Sequence, residues 1–161
     1  MRGNKILAQN DPKGRQETII VSGTPLPGTH MEIVPATNPN AGGLYTYRAC
    51  TRADGTKGPI AILLEDDEQG KTATDAYVTG KPGKIYWPLP GDFVNVLLRD
   101  QPGTGTAGIN DVGDLLSVDG ATGYLIPVGS LTSAPWQLME DITEDVSAAQ
   151  LALCQCVGLF A

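Results

Sequence analysis

The 161-residue sequence contains two glycine-containing runs whose spacing is typical of phosphate binding. Residues 103–108 (GTGTAG) match Gly-x-Gly-x-x-Gly, a turn that holds a dinucleotide pyrophosphate when a helix follows it. Residues 109–114 (INDVGD), which follow it here, show no helical pattern. Residues 70–72 (GKT) end like a P-loop, but Glu65 stands where the first glycine is required, and acidic residues follow it. We therefore expect no nucleotide site.

Metal-ligating and nucleophilic side chains are few and poorly spaced. Residues 65–68 (EDDE) could offer oxygens to Ca²⁺, but they lack the spacing of a calcium loop, and we favour an exposed acidic turn. Cys154 and Cys156 alternate on a predicted strand, about 7 Å apart, which is too far for a relaxed disulfide. Zinc would need Cys50 and His30 as further ligands. No serine stands in a Gly-x-Ser-x-Gly elbow, so we expect no catalytic, metal-binding or cofactor-binding residue.

Short strands are the elements that must position these side chains. The sequence contains 20 Gly and 12 Pro, and these residues separate ten short β-rich runs. The runs are 18–22, 30–34, 44–50, 59–65, 84–89, 93–99, 114–119, 123–128, 136–142 and 151–160. This pattern predicts an all-β barrel or sandwich with at most one or two short helices, at 72–77 and 143–150. No internal repeat is evident in the sequence.

Residues 1–17 differ from the rest of the chain. Their one apolar cluster, Ile6, Leu7 and Ala8, has no strand or helix periodicity, so we interpret 1–17 as an extended arm and 18–161 as a single barrel domain. The charged residues of the arm are Arg2, Lys5, Lys13 and Arg15 against Asp11 and Glu17. Eight acidic residues and no Lys or Arg follow Arg99. The basic arm is either a solvated tail or a segment that pairs with an acidic surface, such as another copy of the body.

The last predicted strand is apolar on both faces, whereas a half-exposed strand is polar on one. One face carries Leu151, Leu153, Gln155, Val157 and Leu159, and the other carries Ala152, Cys154, Cys156, Gly158 and Phe160. We expect one face inside the barrel and the other under a neighbouring element or a second subunit, and we favour the subunit. The residues predicted for that interface are Cys154, Cys156, Val157 and Phe160.

Residues 61–98 resemble a segment of the head decoration, or cement, proteins of tailed double-stranded DNA bacteriophages. The shared features, in order, are a Leu-Leu-Glu strand end at 63–65, a Gly-Lys-Thr-x-x-Asp-Ala-Tyr turn at 70–77, a Pro-Leu-Pro-Gly-Asp corner at 88–92 and a Gly-Asp-Leu-Leu hairpin at 113–116. The order and spacing of these features carry the resemblance, which extends over 18–161.

The resemblance implies a small, mainly β barrel (β-tulip-like) with an extended N-terminal arm, and a homotrimer on the exterior of the virion capsid. In such proteins the arm pairs with the major capsid protein as an added strand, and the trimer clamps neighbouring capsomers. Applied to this chain, the resemblance assigns capsid binding to Lys5, Ile6, Leu7, Ala8, Lys13 and Arg15.

Composition argues against several other classes of function. The formal net charge of −7 disfavours nucleic-acid binding, and no apolar run is long enough for a membrane span. The lack of a signal-peptide run and the odd cysteine count predict synthesis in a reducing host cytoplasm. We expect a structural virion protein without enzymatic activity, cofactor or small-molecule substrate. The alternatives are a small β-barrel enzyme relative with a signal-peptidase-like fold, another virion or tail β-module, and a ligand-binding barrel.

Overall fold

Strands and turns form the structure of the chain in a computed structural model, which describes residues 5–8, 13–35, 38–51, 60–66, 70, 72–99, 111–128, 135–142 and 149–158. The strands are Arg15–Val21 (β1), His30–Ile33 (β2), Thr46–Ala49 (β3), Ala61–Leu63 (β4), Pro82–Trp87 (β5), Phe93–Leu98 (β6), Leu115–Val118 (β7), Leu125–Pro127 (β8), Trp136–Leu138 (β9) and Gln150–Cys156 (β10). Each overlaps one predicted run. Within the described residues there is no helix, and hence none able to cross a bilayer.

The strands close into two barrels rather than the one predicted. Barrel 1 has the strand order β1-β3-β2-β4-β5, and barrel 2 has the order β10-β6-β8-β7-β9. Barrel 1 closes where β5 pairs with β1, and barrel 2 closes where β9 pairs with β10. The prediction of a mainly β barrel fold is therefore confirmed, and the prediction of a single barrel is corrected. The predicted helix at 72–77 is a turn region, and residues 143–148 lie outside the described residues.

The two barrels have the same topology. In each, the first strand is parallel to the third and antiparallel to the fifth, and the second pairs with the third and the fourth. The fourth strand then pairs with the fifth. The registers also correspond, because Val21↔Tyr47 in barrel 1 and Leu98↔Leu125 in barrel 2 occupy the same place between the first and third strands.

Loop hydrogen bonds follow the same correspondence. The Gly28 N–H donates to the Leu63 carbonyl in barrel 1, and the Gly113 N–H donates to the Leu138 carbonyl in barrel 2, both at 2.8 Å. These two glycines have φ of 88° and 100°, a region that favours glycine. Identities between equivalent positions include Gly28 with Gly113, Leu63 with Leu138, and Glu65 with Glu140. The chain is thus an internal duplication that was missed because so few equivalent residues are identical.

Each barrel has its own apolar interior, as strand alternation requires. The interior of barrel 1 is built by Ile19, Val21, Met31, Tyr47, Ala61, Leu63, Tyr77 and Ile85. The interior of barrel 2 includes Val94, Val96, Leu98, Leu116, Val118, Leu125, Trp136, Leu138, Ala152, Cys154 and Cys156. The opposite face of barrel 1 is also apolar, and its Ile60, Ile62, Leu64 and Tyr86 belong to the same cluster as the interior of barrel 2. The interior of barrel 2 and the outer face of barrel 1 therefore form one shared core, which is separate from the interior of barrel 1.

Residues 28–30 of barrel 1 connect the barrels through the backbone. The Leu97 N–H of β6 donates to the Gly28 carbonyl at 3.1 Å, and the His30 N–H donates to the Gly123 carbonyl at 2.9 Å. Gly123 lies just ahead of β8, so residues 28–30 bridge β6 and β8, which pair with each other only at Leu98↔Leu125. We call the junction of the first and third strands in each barrel its seam. The seam of barrel 2 is occupied by residues of barrel 1.

Candidate functional site

Three described side chains at the candidate phosphate and calcium sites have structural partners, whereas Asp67, Glu68 and Lys71 lie outside the described residues. Glu65 accepts the Ile6 N–H, at 3.0 Å to Oε2, and the Asp66 carboxylate lies 3.7 Å from the Lys84 ammonium. Thr72 donates its hydroxyl and its N–H to Asp75, at 2.7 and 2.9 Å. In the described part of the chain no three His, Cys, Asp or Glu side chains come together as metal ligands do. Residues 103–108 lie outside the described residues.

His30 is fully buried at the contact between the barrels. Its Nδ1 lies 3.1 Å from the Gly123 carbonyl, and its ring meets the Trp136 ring edge-on, with the centroids 5.5 Å apart. Burial lowers the pKa of His30 to about 4, although the hydrogen bond to Gly123 opposes that shift. The neutral ring therefore donates from Nδ1 and helps to hold the barrels together. This position gives it a packing role rather than one in proton transfer.

The cysteines of β10 do not form a subunit interface, which corrects the prediction. Cys154 and Cys156 are 0% and 1% exposed and point into barrel 2, because their alternation with Leu153 and Gln155 places them on the inner face. Desolvation raises the pKa of Cys156 to about 11 and that of Cys154 further still. Val157, at 42% exposure, is on the surface. Phe160 lies outside the described residues.

Part of the N-terminal segment 1–17, which its lack of periodicity predicts to be an extended arm, is attached to the body. Ile6 is 0% exposed in the shared core, and Leu7 forms an isolated bridge with Val94. The Asn95 N–H of β6 donates to the Ile6 carbonyl at 2.7 Å, and the Asn95 amide donates to the Lys5 carbonyl. β1 itself begins at Arg15, before the predicted domain boundary. Lys5, Ala8, Lys13 and Arg15 remain exposed.

The Pro-Leu-Pro-Gly-Asp corner joins the N-terminal segment to both barrels. Asp92 is fully buried and accepts the Tyr86 hydroxyl, the Leu89 N–H at 2.8 Å and the Lys13 N–H at 3.2 Å. The Tyr86 hydroxyl in turn accepts the Gly14 N–H at 2.7 Å. A buried carboxylate is stable only when its oxygens are hydrogen-bonded in this way. The corner therefore holds the segment around residues 13–14 against the body.

Tyr45 and Val112 are two of the large apolar side chains that are exposed at the surface. Tyr45, 43% exposed, lies at the seam of barrel 1, where its carbonyl accepts the Ile20 N–H at 2.9 Å. Val112, 54% exposed, lies in the turn that precedes β7. The Val112 N–H donates to Asp141 at 2.9 Å, and the Asp111 N–H donates to Asp114 at 2.9 Å. These carboxylates fix the conformation of the turn while leaving the Val112 side chain at the surface.

Acidic residues outnumber basic ones on barrel 2, because the basic residues lie almost entirely in barrel 1 and the N-terminal segment. Among the described residues after β6 begins, Arg99 is the basic one, and it lies 3.6 Å from Asp119. The acidic residues of the same region are Asp111, Asp114, Asp119, Glu140 and Asp141. Arg15 of barrel 1 has a side chain that is 72% exposed, lies over the Trp87 ring and is 3.2 Å from Glu17. The charge asymmetry of the sequence is thus an asymmetry between the two barrels.

A solved phage protein is similar to this chain in fold. It is described as the head fiber gp8.5 N base in bacteriophage phi29, with a TM-score of 0.52 and 12% sequence identity to this chain. The match covers 89% of this chain and 93% of that chain, so both barrels are included. No protein-family model matches the chain, and no curated protein matches it by sequence. At this identity the likeness establishes a common fold.

Sequence reasoning missed the residues that join the barrels. His30 and Gly123 fall in the predicted runs 30–34 and 123–128, Gly28 lies between runs, and a single predicted barrel offers no second surface for them to contact. The signal available in the sequence is a turn glycine, Gly28 or Gly113, that precedes the second strand of each half. That repeat could have been found by aligning the two halves on their strands.

Proposed function

We propose that this protein is a structural component of a phage virion, that it binds the outer surface of the capsid as a homotrimer, and that it stabilises the shell by clamping neighbouring capsomers. The likeness to a phage head fiber base over almost the whole of both chains carries this proposal. The order of motifs at 63–65, 70–77, 88–92 and 113–116 points to the same class of protein independently.

The proposed partner is the major capsid protein, and the N-terminal segment supplies part of the contact. Because Ile6 is buried and Leu7 pairs with β6, these two residues anchor the segment to the body. The exposed Lys5, Ala8 and Lys13 then face outward and are available to the shell. Basic side chains at these positions would bind best to an acidic surface of the shell. We assign capsid binding to this anchored segment rather than to a free N-terminal tail.

The protein acts without catalysis, and we propose no nucleic-acid, membrane or small-molecule partner. Support comes from the described polar side chains, whose contacts tie turns and barrels together. Residues that would be obvious candidates for chemistry, His30 and Cys154, are fully buried inside the protein. Incubation with ester, peptide and phosphate substrates is the direct check. Turnover that follows the protein through purification and disappears on mutation of one polar residue would contradict a structural role.

Cosedimentation with purified, undecorated shells tests the function. We expect the protein to pellet with shells at a saturating ratio of three chains per site, and to raise the temperature at which the shells disassemble. Lys5→Glu with Lys13→Glu should weaken binding and increase its salt sensitivity, because rim charges mainly steer association. Lys81→Glu, at the opposite end of barrel 1, is the matched control. Failure of the wild-type protein to pellet with shells would refute the proposal.

A further inference from the structure

The first strand of each barrel has one edge that its own barrel covers only at the far end. β1 pairs with β5 from Arg15 to Ile20, but it pairs with β3 only at Ile20 and Val21. Likewise β6 pairs with β10 from Phe93 to Leu98, but it pairs with β8 only at Leu98. The third strand therefore leaves the first half of this edge uncovered in both barrels, and an uncovered strand edge can accept a further strand.

In barrel 2 the N-terminal segment covers this edge. Residues 6–8 lie along β6 as a short antiparallel strand. The Ala8 N–H donates to the Phe93 carbonyl at 3.3 Å, and the Asn95 N–H donates to the Ile6 carbonyl at 2.7 Å. The edge of β6 is thus completed by a segment that belongs to neither barrel.

The main-chain groups of Gln16, Thr18 and Ile20 face the corresponding edge of β1. The Val21 N–H donates to the Lys81 carbonyl just ahead of β5, so alternation along an antiparallel strand directs these three residues to the opposite side. The Ile20 N–H is used there, because it donates to the Tyr45 carbonyl at 2.9 Å. The seam of barrel 1 is therefore closed at Ile20, and only the part of the edge before it is available.

That part of the edge is open. On this side of β1, Gln16 and Thr18 make no main-chain hydrogen bond within the described parts of the chain, and both residues are exposed. The register that equates Val21 with Leu98 makes Gln16 the equivalent of Phe93 and Thr18 the equivalent of Asn95. The two positions that are bonded to the N-terminal segment in barrel 2 are thus the two that remain open in barrel 1.

We propose that an extended segment of the major capsid protein adds to β1 as an antiparallel strand along residues 16–18, in the way that residues 6–8 add to β6. The proposal rests on the shell binding of the proposed function and names a surface that carries it. The resemblance to decoration proteins assigns strand pairing with the shell to the arm, but residues 6–8 are already paired with β6. In this protein the shell supplies the strand, and β1 supplies the edge.

Two observations favour the shell over a second copy as the source of the strand. Ile6 is 0% exposed and residues 6–8 are bonded to β6, so this segment of a neighbouring copy is not available to pair with β1. Lys13, which is exposed and is proposed to face the shell, lies two residues before the first residue of β1. The open edge therefore continues directly from the proposed shell-binding surface.

The edge also indicates which kind of side chain the added strand carries. In barrel 2, Leu7 lies opposite Val94 and packs against the core. Glu17 is the equivalent of Val94, and its Oε2 accepts the Trp87 indole N–H at 3.2 Å. Trp87 is partly buried and packs against the interior of barrel 1. We expect the shell segment to place an apolar side chain opposite Glu17, where it can pack beside the Trp87 ring.

Hydrogen exchange of the full chain, alone and bound to purified, undecorated shells, tests the edge directly. In the free protein the Thr18 amide should exchange rapidly, whereas the Asn95 amide, which is bonded to Ile6, should exchange slowly. On shells the Thr18 amide should exchange roughly tenfold more slowly or less, with Asn95 unchanged.

The outcomes separate this proposal from the proposed function. A shell-bound protein whose Thr18 amide exchanges as fast as in the free protein would overturn strand addition and leave shell binding intact. Protection of Thr18 that appears without shells as the protein concentration is raised would identify a second copy as the occupant and overturn the assignment to the shell. A protein that does not bind shells at all would overturn the proposed function together with this inference.

Substitution of Thr18 gives a second measurement. Thr18→Pro removes the donor of the open edge, and proline is tolerated on a strand edge whose N–H faces solvent. It should weaken shell binding roughly tenfold or more, because a main-chain hydrogen bond is lost and the ring blocks the approach of a strand. Thr18→Val is the matched control, since it keeps the N–H and the β-branched shape and should bind as the wild type does.

The urea midpoint of Thr18→Pro shows whether barrel 1 remains folded, and the binding comparison is made where that midpoint is close to that of the wild type. Equal shell binding by the folded Thr18→Pro and Thr18→Val variants would contradict strand addition. Where the proline variant does not fold, the exchange of the wild-type Thr18 amide on shells decides the question.

Discussion

Protonation of His30 should separate the pH dependence of this protein from that of a variant that cannot titrate at this position. The imidazole is fully buried, and desolvation lowers its pKa from 6.5 to about 4. Above pH 6.5 the ring is neutral in both the folded and the unfolded protein, so it contributes nothing to the pH dependence. Between pH 6.5 and 4 the unfolded chain binds a proton that the folded chain does not, and the free energy of unfolding therefore falls as pH falls.

The size of the effect follows from the same two pKa values. At about 1.4 kcal/mol for each pKa unit, the folded state loses about 3 kcal/mol relative to the unfolded state by pH 4 and loses no more below it. His30→Asn keeps a donor close to the position of Nδ1 and removes the titration. Urea unfolding of both proteins from pH 7.5 to pH 4 gives the difference in their free energies of unfolding at each pH.

The difference between the two proteins should shrink by about 3 kcal/mol on going from pH 7.5 to pH 4, because only the wild type is destabilised through this histidine. Other groups that titrate in this range contribute equally to both proteins and cancel. Glu32 is one of them: desolvation raises its pKa, but hydrogen bonds from Thr51 and Arg48 lower it by more. Curves that remain parallel over the whole range would show that His30 is not a buried neutral base at the contact between the barrels.

Three further changes test the packing and the buried groups. Ile6→Ala should lower the free energy of unfolding, measured by urea denaturation, by about 2–5 kcal/mol, because Ile6 is 0% exposed. A loss below about 1 kcal/mol, which is typical of a surface substitution, would show that residues 1–17 are a free arm. Tyr86→Phe should cost about 1–3 kcal/mol, because it removes one of the donors to the buried Asp92 carboxylate and takes away the acceptor of the Gly14 N–H. The buried Cys156, with a pKa raised to about 11, should not react with a thiol reagent at pH 8 until the protein is unfolded, and fast labelling of the native protein would contradict the inward orientation of β10.

The positions of the strands could be predicted because they depend on local signals. Alternation of apolar side chains and the turn residues between runs placed every strand close to its observed position, as in β6 and β7. The pairing of those strands depends on contacts between distant residues. Residues 28–30 bond to their own barrel and also to β6 and Gly123, and the second set of bonds depends on a second barrel that no local sequence pattern predicts.

The role of the N-terminal segment shows the same limit. The cluster of Ile6, Leu7 and Ala8 is too short to have a periodicity, so the sequence offered no reason to place it in the core. Its position is set by partners about 60–90 residues away, Glu65 for the Ile6 N–H and Asn95 for the Lys5 carbonyl. The apolar face of the last strand was misassigned for a related reason, because the cysteines behave as small buried apolar residues and both faces therefore looked alike.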